Sequence, residues 1–310
     1  MSACPACGGP LAPWRTVPSS ERLTRAAFEL ARCGWCGTAV TLGGPPADLH
    51  VTGAYGPRAP RLAGLAAPVL RTFDRRRLAL LARAAPPPAR LLDAGAGRGR
   101  FVAAARAAGY DARGIEPSLR EPVASLEPTT IEDAAVEPGS LDAVTLWHVL
   151  EHLDDPGAAV ERIAGWLAPG GALLVGVPNL DSAQARMAGA RWYHLDVPRH
   201  RTHFTPAGLD ALLRARGLAP QATTHLLLEH NPFGMWQSWV NLLTDTPSYL
   251  YNLLKRNASA RSRDLAITLG MLPLAPLASL AEALAGAAHR GGTIAVLARR
   301  EHRPEGTAPL

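Results

Sequence analysis

Lysine is all but missing: Lys255 stands alone among 32 lysines and arginines. The net charge of +6 would ordinarily point to an anionic partner such as nucleic acid. Arginine used almost to the exclusion of lysine, in a chain crowded with alanine, glycine and proline, reads instead as a bias of the whole chain. Charge therefore selects no nucleic-acid function. An apolar leader is also lacking, because Met1 to Pro10 are small and polar, so no secretory signal is expected. Cysteine is scarce, at four residues, and the expected reducing cytoplasm excludes lasting disulfides. The long uncharged run, Leu265 to Leu280, falls short of the roughly 20 apolar residues that a spanning helix needs. Apolar residues are plentiful at 47%, which excludes wholesale disorder, and 310 residues allow one large core plus a small appendage.

The four cysteines fall into two pairs, Cys4-Pro-Ala-Cys7 and Cys33-Gly-Trp-Cys36, each followed by glycine. Two such knuckles can set four thiolates around a closed structural zinc ion, with a β-hairpin between them. Redox chemistry needs one pair, not two. A closed site of this kind stabilises a fold and leaves no position open for catalysis.

After a Gly/Pro-rich stretch from Gly43 to Pro60, Leu62, Leu65, Val69, Leu70 and Phe73 recur at helical spacing. Arg75-Arg76-Arg77 reads as a solvated turn of that helix, and Pro86-Pro87-Pro88 closes the segment. From Ala89 onward strands alternate with helices, the pattern of a parallel sheet wrapped on both faces. Strands are expected at 91–92, 112–116, 129–131, 141–147, 172–177, 225–229 and 293–298, with helices at 101–108, 156–167 and 206–216. The organisation expected is a ribbon module over 1–45, a linker and helical cap over 46–88 and an α/β core over 89–230. A helical insertion over 231–290 and a final strand and tail over 291–310 complete it.

The loop after the first core strand reads Asp93-Ala-Gly95-Ala-Gly97-Arg-Gly99. Glycines between strand and helix let backbone approach a nucleotide-like ligand. A dinucleotide loop would place its third glycine at position 100, where this chain has Arg100. A carboxylate at Asp93 would repel pyrophosphate but suits a ligand carrying ammonium and sulfonium groups. Glu116, at the end of the second core strand, can accept both ribose hydroxyls. Acid, GxGxG and second acid together favour S-adenosylmethionine over NAD.

These residues resemble the class I S-adenosylmethionine-dependent methyltransferases. The likeness extends through Gly114-Ile115-Glu116-Pro117, Leu146-Trp147-His148-Val149-Leu150-Glu151-His152-Leu153, Leu167-Ala-Pro-Gly170-Gly171, Val177-Pro178-Asn179, Pro198-Arg199-His200 and His203-Phe204-Thr205. It implies a Rossmann-like doubly wound sheet, with the cysteine module in front and a helical insertion before the last strand. It also implies that Asp93, Gly95, Gly97 and Gly99 line the methionine end and that Glu116 holds the ribose. Asp133, or Glu132 beside it, would face the adenine, Trp147 and His148 would border the adenosine, and Tyr55 would cover the cofactor.

His148-Val-Leu-Glu151-His152 also spells a zinc-protease pattern, but it emerges from a buried strand and not from a helix face. His200 is the first candidate for the base that takes the acceptor's proton, and His148 the second. The run 265–280 reads as a lid, an oligomer contact or an interfacial membrane segment. The expected activity is methyl transfer to a small-molecule or sugar/glycan acceptor, including a lipid-linked one, in the cytoplasm or at a membrane. An RNA methyltransferase docking through its zinc module and a non-catalytic cofactor-binding scaffold are the alternatives.

Overall fold

The computed structural model describes residues 3–20, 27–44, 63–229, 231–254 and 262–301. Tyr55 lies outside the described residues. In chain order come β1 (Leu11–Pro18), β2 (Ala27–Cys33), β3 (Ala39–Thr41), α1 (Ala63–Leu81), β4 (Arg90–Ala94), α2 (Arg100–Ala107), β5 (Asp111–Ile115), β6 (Leu126–Glu127) and β7 (Leu141–Trp147). There follow α3 (Pro156–Trp166), β8 (Leu167–Pro178), α4 (Ala183–Ala188), β9 (Thr202–His203), α5 (Pro206–Ala215) and β10 (Leu218–Thr224). The insertion contributes α6 (Asn231–Asn241), α7 (Tyr249–Leu254), α8 (Ser262–Met271) and α9 (Ala275–Ala287) before β11 (Thr293–Arg300).

The main sheet has the order β10-β11-β8-β7-β4-β5-β6. β11 runs antiparallel to both of its neighbours, and β4 through β8 pair in parallel. The parallel strands are short apolar runs such as Leu91-Leu92 and Val144-Thr145-Leu146, buried from both faces by helices. Helix starts are written locally. Asp155 and Thr205 accept from the backbone N–H groups of Ala158 and Gly208 at 2.9 and 3.0 Å, each with proline at the first helical position. Chain order reverses between β4 and β7, so the C-terminal strand ends open a crevice there for a ligand.

Two strands sit elsewhere than their patterning predicts. Residues 129–131 are not a strand; β6 ends at Glu127, because Pro128 cannot donate to a ladder and Thr130 closes a side-chain turn with Asp133. Residues 225–229 also lie outside the sheet, since the ladder between β10 and β11 spans 218–224.

The small sheet β1-β2-β3-β9 is antiparallel, and its hairpin β1–β2 lies between the two cysteine knuckles. Its fourth strand, β9, comes from the core, where Val40 and Ala39 pair with Thr202 and His203. The Thr205 hydroxyl adds a 2.6 Å bond to the carbonyl of Cys36. Knuckle and core are thus stitched at the segment that carries His200.

In the insertion, α6 packs on α9 through Met235, Trp236, Val240 and Ala278. Glu282 of α9 is buried and accepts from Gln184 Nε2 at 2.6 Å and from the Gly292 amide at 2.8 Å. Burial raises its carboxyl to about 7, against those two donors.

Candidate functional site

Asp93 closes β4 with its side chain buried, and the Thr145 hydroxyl donates to its Oδ1 at 2.6 Å. Burial raises Asp93 to about 6, opposed by that hydroxyl and by the nearby Arg77 guanidinium. The chain then turns through Gly95, Gly97 and Gly99, all with positive φ, and Gly99 caps α2. Gly95 is required twice over. Its φ is +77°, and a Cβ there would stand 2.3 Å from a methyl of Val149. The Gly97 amide donates to Glu116 Oε2 at 2.9 Å, while Glu116 Oε1 accepts from the amide and hydroxyl of Ser118. The two acids and the glycine turn therefore form one connected rim across the ends of β4 and β5. Asp133 is exposed and held by Thr130 in the turn beyond β6, the strand next to β5.

At the end of β7, Trp147 lies across Gly176 of β8, and the Arg77 guanidinium sits 4.3 Å from the centre of its ring. Arg77 is itself paired with Glu229 and largely buried. Arg75 and Arg76 are exposed as the sequence predicts, but Arg77 is not. Helical period explains the difference, since Asp74, Arg77, Leu78 and Leu81 share one face of α1 and Asp74 and Leu81 are buried.

His148 has φ of +56°, an uncommon conformation for a residue other than glycine, and its amide donates to the Gly176 carbonyl at 2.9 Å. Its Nδ1 lies 3.0 Å from Glu151 Oε1, and 21% of its side chain remains exposed. Glu151 is 1% exposed, and its Oε2 is buried with no hydrogen-bond partner. The sequence motif alone gives Glu151 no role; its burial beside His148 marks it.

His200 is buried, with Nδ1–H donating to the His194 carbonyl at 2.9 Å and its ring edge-on to His152. Burial, with His152 and His203 nearby, drives its pKa well below the usual histidine value, so it is neutral at physiological pH. Asp196 and Arg199 form a buried pair, and Ser20 donates to Asp196 Oδ1 at 2.6 Å. The His194 ring, in turn, is parallel to that of His148 at 6.3 Å between centroids.

The four cysteine sulfurs all lie within 4.8 Å of one another, with Cys4–Cys36 at 3.7 Å and Cys7–Cys33 at 3.5 Å. A disulfide needs about 2.05 Å between sulfurs, whereas tetrahedral zinc with four thiolates separates them by about 3.8 Å. The Trp35 amide points at Cys33 Sγ from 3.4 Å, and a Cβ on Gly9 would come within 2.9 Å of the same sulfur. Such a cradle fits a thiolate-ligated ion.

A family model described as a methyltransferase domain matches residues 68–223. A ubiquinone biosynthesis O-methyltransferase of Xanthomonas campestris pv. campestris is 35% identical over 167 residues, spanning 48% of this chain and 70% of the relative. The protein of the same name from Xanthomonas axonopodis pv. citri is 34% identical over 168 residues, with the same coverage. Among solved structures, Burkholderia thailandensis 1,6-didemethyltoxoflavin-N1-methyltransferase, with bound 1,6-didemethyltoxoflavin and S-adenosylhomocysteine, aligns with a TM-score of 0.44 at 18% identity. That alignment covers 86% of this chain and 96% of the other.

Proposed function

This chain belongs to the methyltransferase-domain family, and from that membership we propose that it carries the methyl group of S-adenosylmethionine to a hydroxyl of a small-molecule acceptor. One observation carries the reading: the rim Asp93–Gly95–Gly97–Gly99–Glu116 stands at the same end of the sheet, the C-terminal strand ends, as the His148–Glu151 pair.

Asp93 takes the positively charged methionine end, Glu116 exchanges its Gly97 and Ser118 donors for the ribose hydroxyls, and the exposed Asp133 faces the adenine. Trp147, pinned by Arg77, walls the adenosine. His148 takes the acceptor's proton with its imidazole oriented by Glu151; its partial exposure and place at the strand end favour it over the enclosed His200. The acceptor oxygen then forms a bond to the methyl carbon, the carbon–sulfur bond breaks, and its electron pair stays on sulfur, leaving neutral S-adenosylhomocysteine. Cys4, Cys7, Cys33 and Cys36 hold a structural zinc ion, whose charge offsets the repulsion among four close thiolates, and the Thr205 hydroxyl ties this knuckle to the segment bearing His200.

The relatives named for ubiquinone biosynthesis support an acceptor hydroxyl and a small molecule; a sugar or a lipid-linked acceptor has the same group to offer. The RNA alternative draws less support, since the ribbon's Arg15 and Arg32 are stacked against Trp14. Labelled methyl transfer to fractionated cell extract tests the choice. Label in the low-molecular-weight or lipid fraction is expected, and label confined to RNA would overturn it.

Binding of the cofactor should depend on pH. Because burial raises Asp93 to about 6, its carboxylate is lost below that value, and affinity should fall about tenfold per pH unit there. The same shift makes Asp93 a cost to the empty fold above pH 6 that is relieved as pH falls, so stability and affinity move in opposite directions. Titrations at pH 5 and pH 7 measure this, and Asp93→Asn should bind weakly at both.

A membrane-facing role draws on the insertion. Residues Ser262–Ala287 form a run of helix 26 residues long, whose most apolar 18-residue stretch has mean hydropathy 1.5 and is 17% buried. Leu269, Leu277, Leu280 and Leu284 are each more than half exposed. Such a face suits a bilayer interface. Flotation with anionic vesicles should carry the protein upward, and Leu280→Asp with Leu284→Asp should release it; failure of the wild-type protein to float removes this role.

A further inference from the structure

Beyond the four-cysteine cradle, one other grouping among the described residues can converge on an ion: Glu151, His152 and His200, each with a ligand atom within 4.8 Å of the other two. It is assembled by the fold. The Arg201 amide donates to the Glu151 carbonyl at 2.7 Å, which holds the His200 segment against the turn that follows β7.

Two features distinguish it from a chance meeting of polar side chains. His152 Nδ1–H donates to the Arg199 carbonyl at 3.2 Å, and His200 Nδ1–H donates to the His194 carbonyl at 2.9 Å. A carbonyl only accepts, so both rings carry their proton on Nδ1 and leave Nε2 as the nitrogen that can bind an ion; in His200 that atom lies 3.9 Å from Asp196 Oδ2. Metal-bound histidines are fixed in this way, by a carbonyl behind the ring. The second feature is independent. Glu151 is 1% exposed, Oε1 is taken by His148, and Oε2 is buried with no hydrogen-bond partner. A buried carboxylate oxygen without a donor is costly, and a cation removes the cost.

We propose that Glu151, His152 and His200 form a second metal site, one that takes a divalent transition-metal ion such as zinc. Two imidazoles and one carboxylate are a donor set for such ions, and not for magnesium or calcium, which prefer oxygen throughout. The ligand atoms of a tetrahedral zinc ion lie about 3.4 Å apart, so the set closes by side-chain shifts of about an ångström. Three protein ligands leave a position open to water or to an acceptor oxygen, unlike the closed cysteine site. The ion would also sit on Glu151, the carboxylate that orients His148, three positions along the chain from the proposed base.

Cobalt titration of the full-length, metal-stripped protein tests this. The cysteine site, when filled, gives intense thiolate charge-transfer absorption. A further equivalent should bind without adding to that band. His152→Gln and His200→Gln should each weaken this further equivalent by more than about 100-fold, exceeding the roughly 10–100-fold effect of losing an outer partner. Cys7→Ser should leave it in place, which separates this site from the structural one. His152→Asp, which restores a donor, should retain binding where His152→Gln loses it, while thermal melts check that each variant is folded. A single equivalent bound entirely through thiolates, or a further one indifferent to both histidine substitutions, would overturn the proposal.

Discussion

Replacing Glu116 with alanine is expected to weaken S-adenosylmethionine binding by more than about 100-fold. A ribose pair donates two hydrogen bonds to one carboxylate, each worth about 1.5–3 kcal/mol when the acceptor is charged. Their sum, about 3 kcal/mol or more, is a factor of about 100 or greater in Kd. The loss extends to the empty site, because Glu116 also anchors the Gly97 amide and the Ser118 turn. Glu116→Gln keeps an acceptor and should fall between. Calorimetric affinity within threefold of wild type for Glu116→Ala would remove the ribose assignment.

The other large effect belongs to His148. General-base catalysis contributes roughly 10²–10⁴-fold, so removing the imidazole should lower kcat by about that range with the cofactor's affinity little changed. Asparagine is the informative replacement, since it tolerates the positive φ recorded there and keeps the turn. Glu151→Gln should cost less than His148→Asn and shift the pH–rate profile. Should His200→Gln abolish turnover while His148→Asn retains nearly all of it, the roles of the two histidines would have to be exchanged.

Much of this architecture is legible in the chain because it is written locally. The turn from Asp93 to Gly99, the second acid at Glu116 and the buried run 141–147 each state their structure within a few residues, and the order of these segments is that of the family. The cysteine pairs likewise place a hairpin between two knuckles. Features settled by distant partners are not legible. The ribbon takes its last strand from Thr202–His203, a pairing that no local pattern announces. Residues 225–229 carry an apolar run, yet the ladder ends at Thr224 opposite Ala295. His200 follows a turn containing Pro198 like many loop histidines, and only the fold discloses that its Nδ1–H is spent on the His194 carbonyl. Arg77 differs from its exposed neighbours through contacts with Glu229 and Trp147, both remote in sequence.

The apolar face of α8 and α9 was visible as composition, though composition leaves open whether such a run is buried or presented. Packing against α6 covers Ala278 and leaves Leu277, Leu280 and Leu284 outward. That division turns a hydrophobic run into an exposed apolar surface.

The central claim is that the acid–glycine–acid rim is a methyl-donor site, and direct titration of the purified protein with S-adenosylmethionine, with NAD alongside, tests it most simply. Saturable micromolar binding of S-adenosylmethionine, absent for NAD and lost in Glu116→Ala, is the result predicted. Binding of NAD in its place, or S-adenosylmethionine binding that Glu116→Ala leaves intact, would contradict the account of this site.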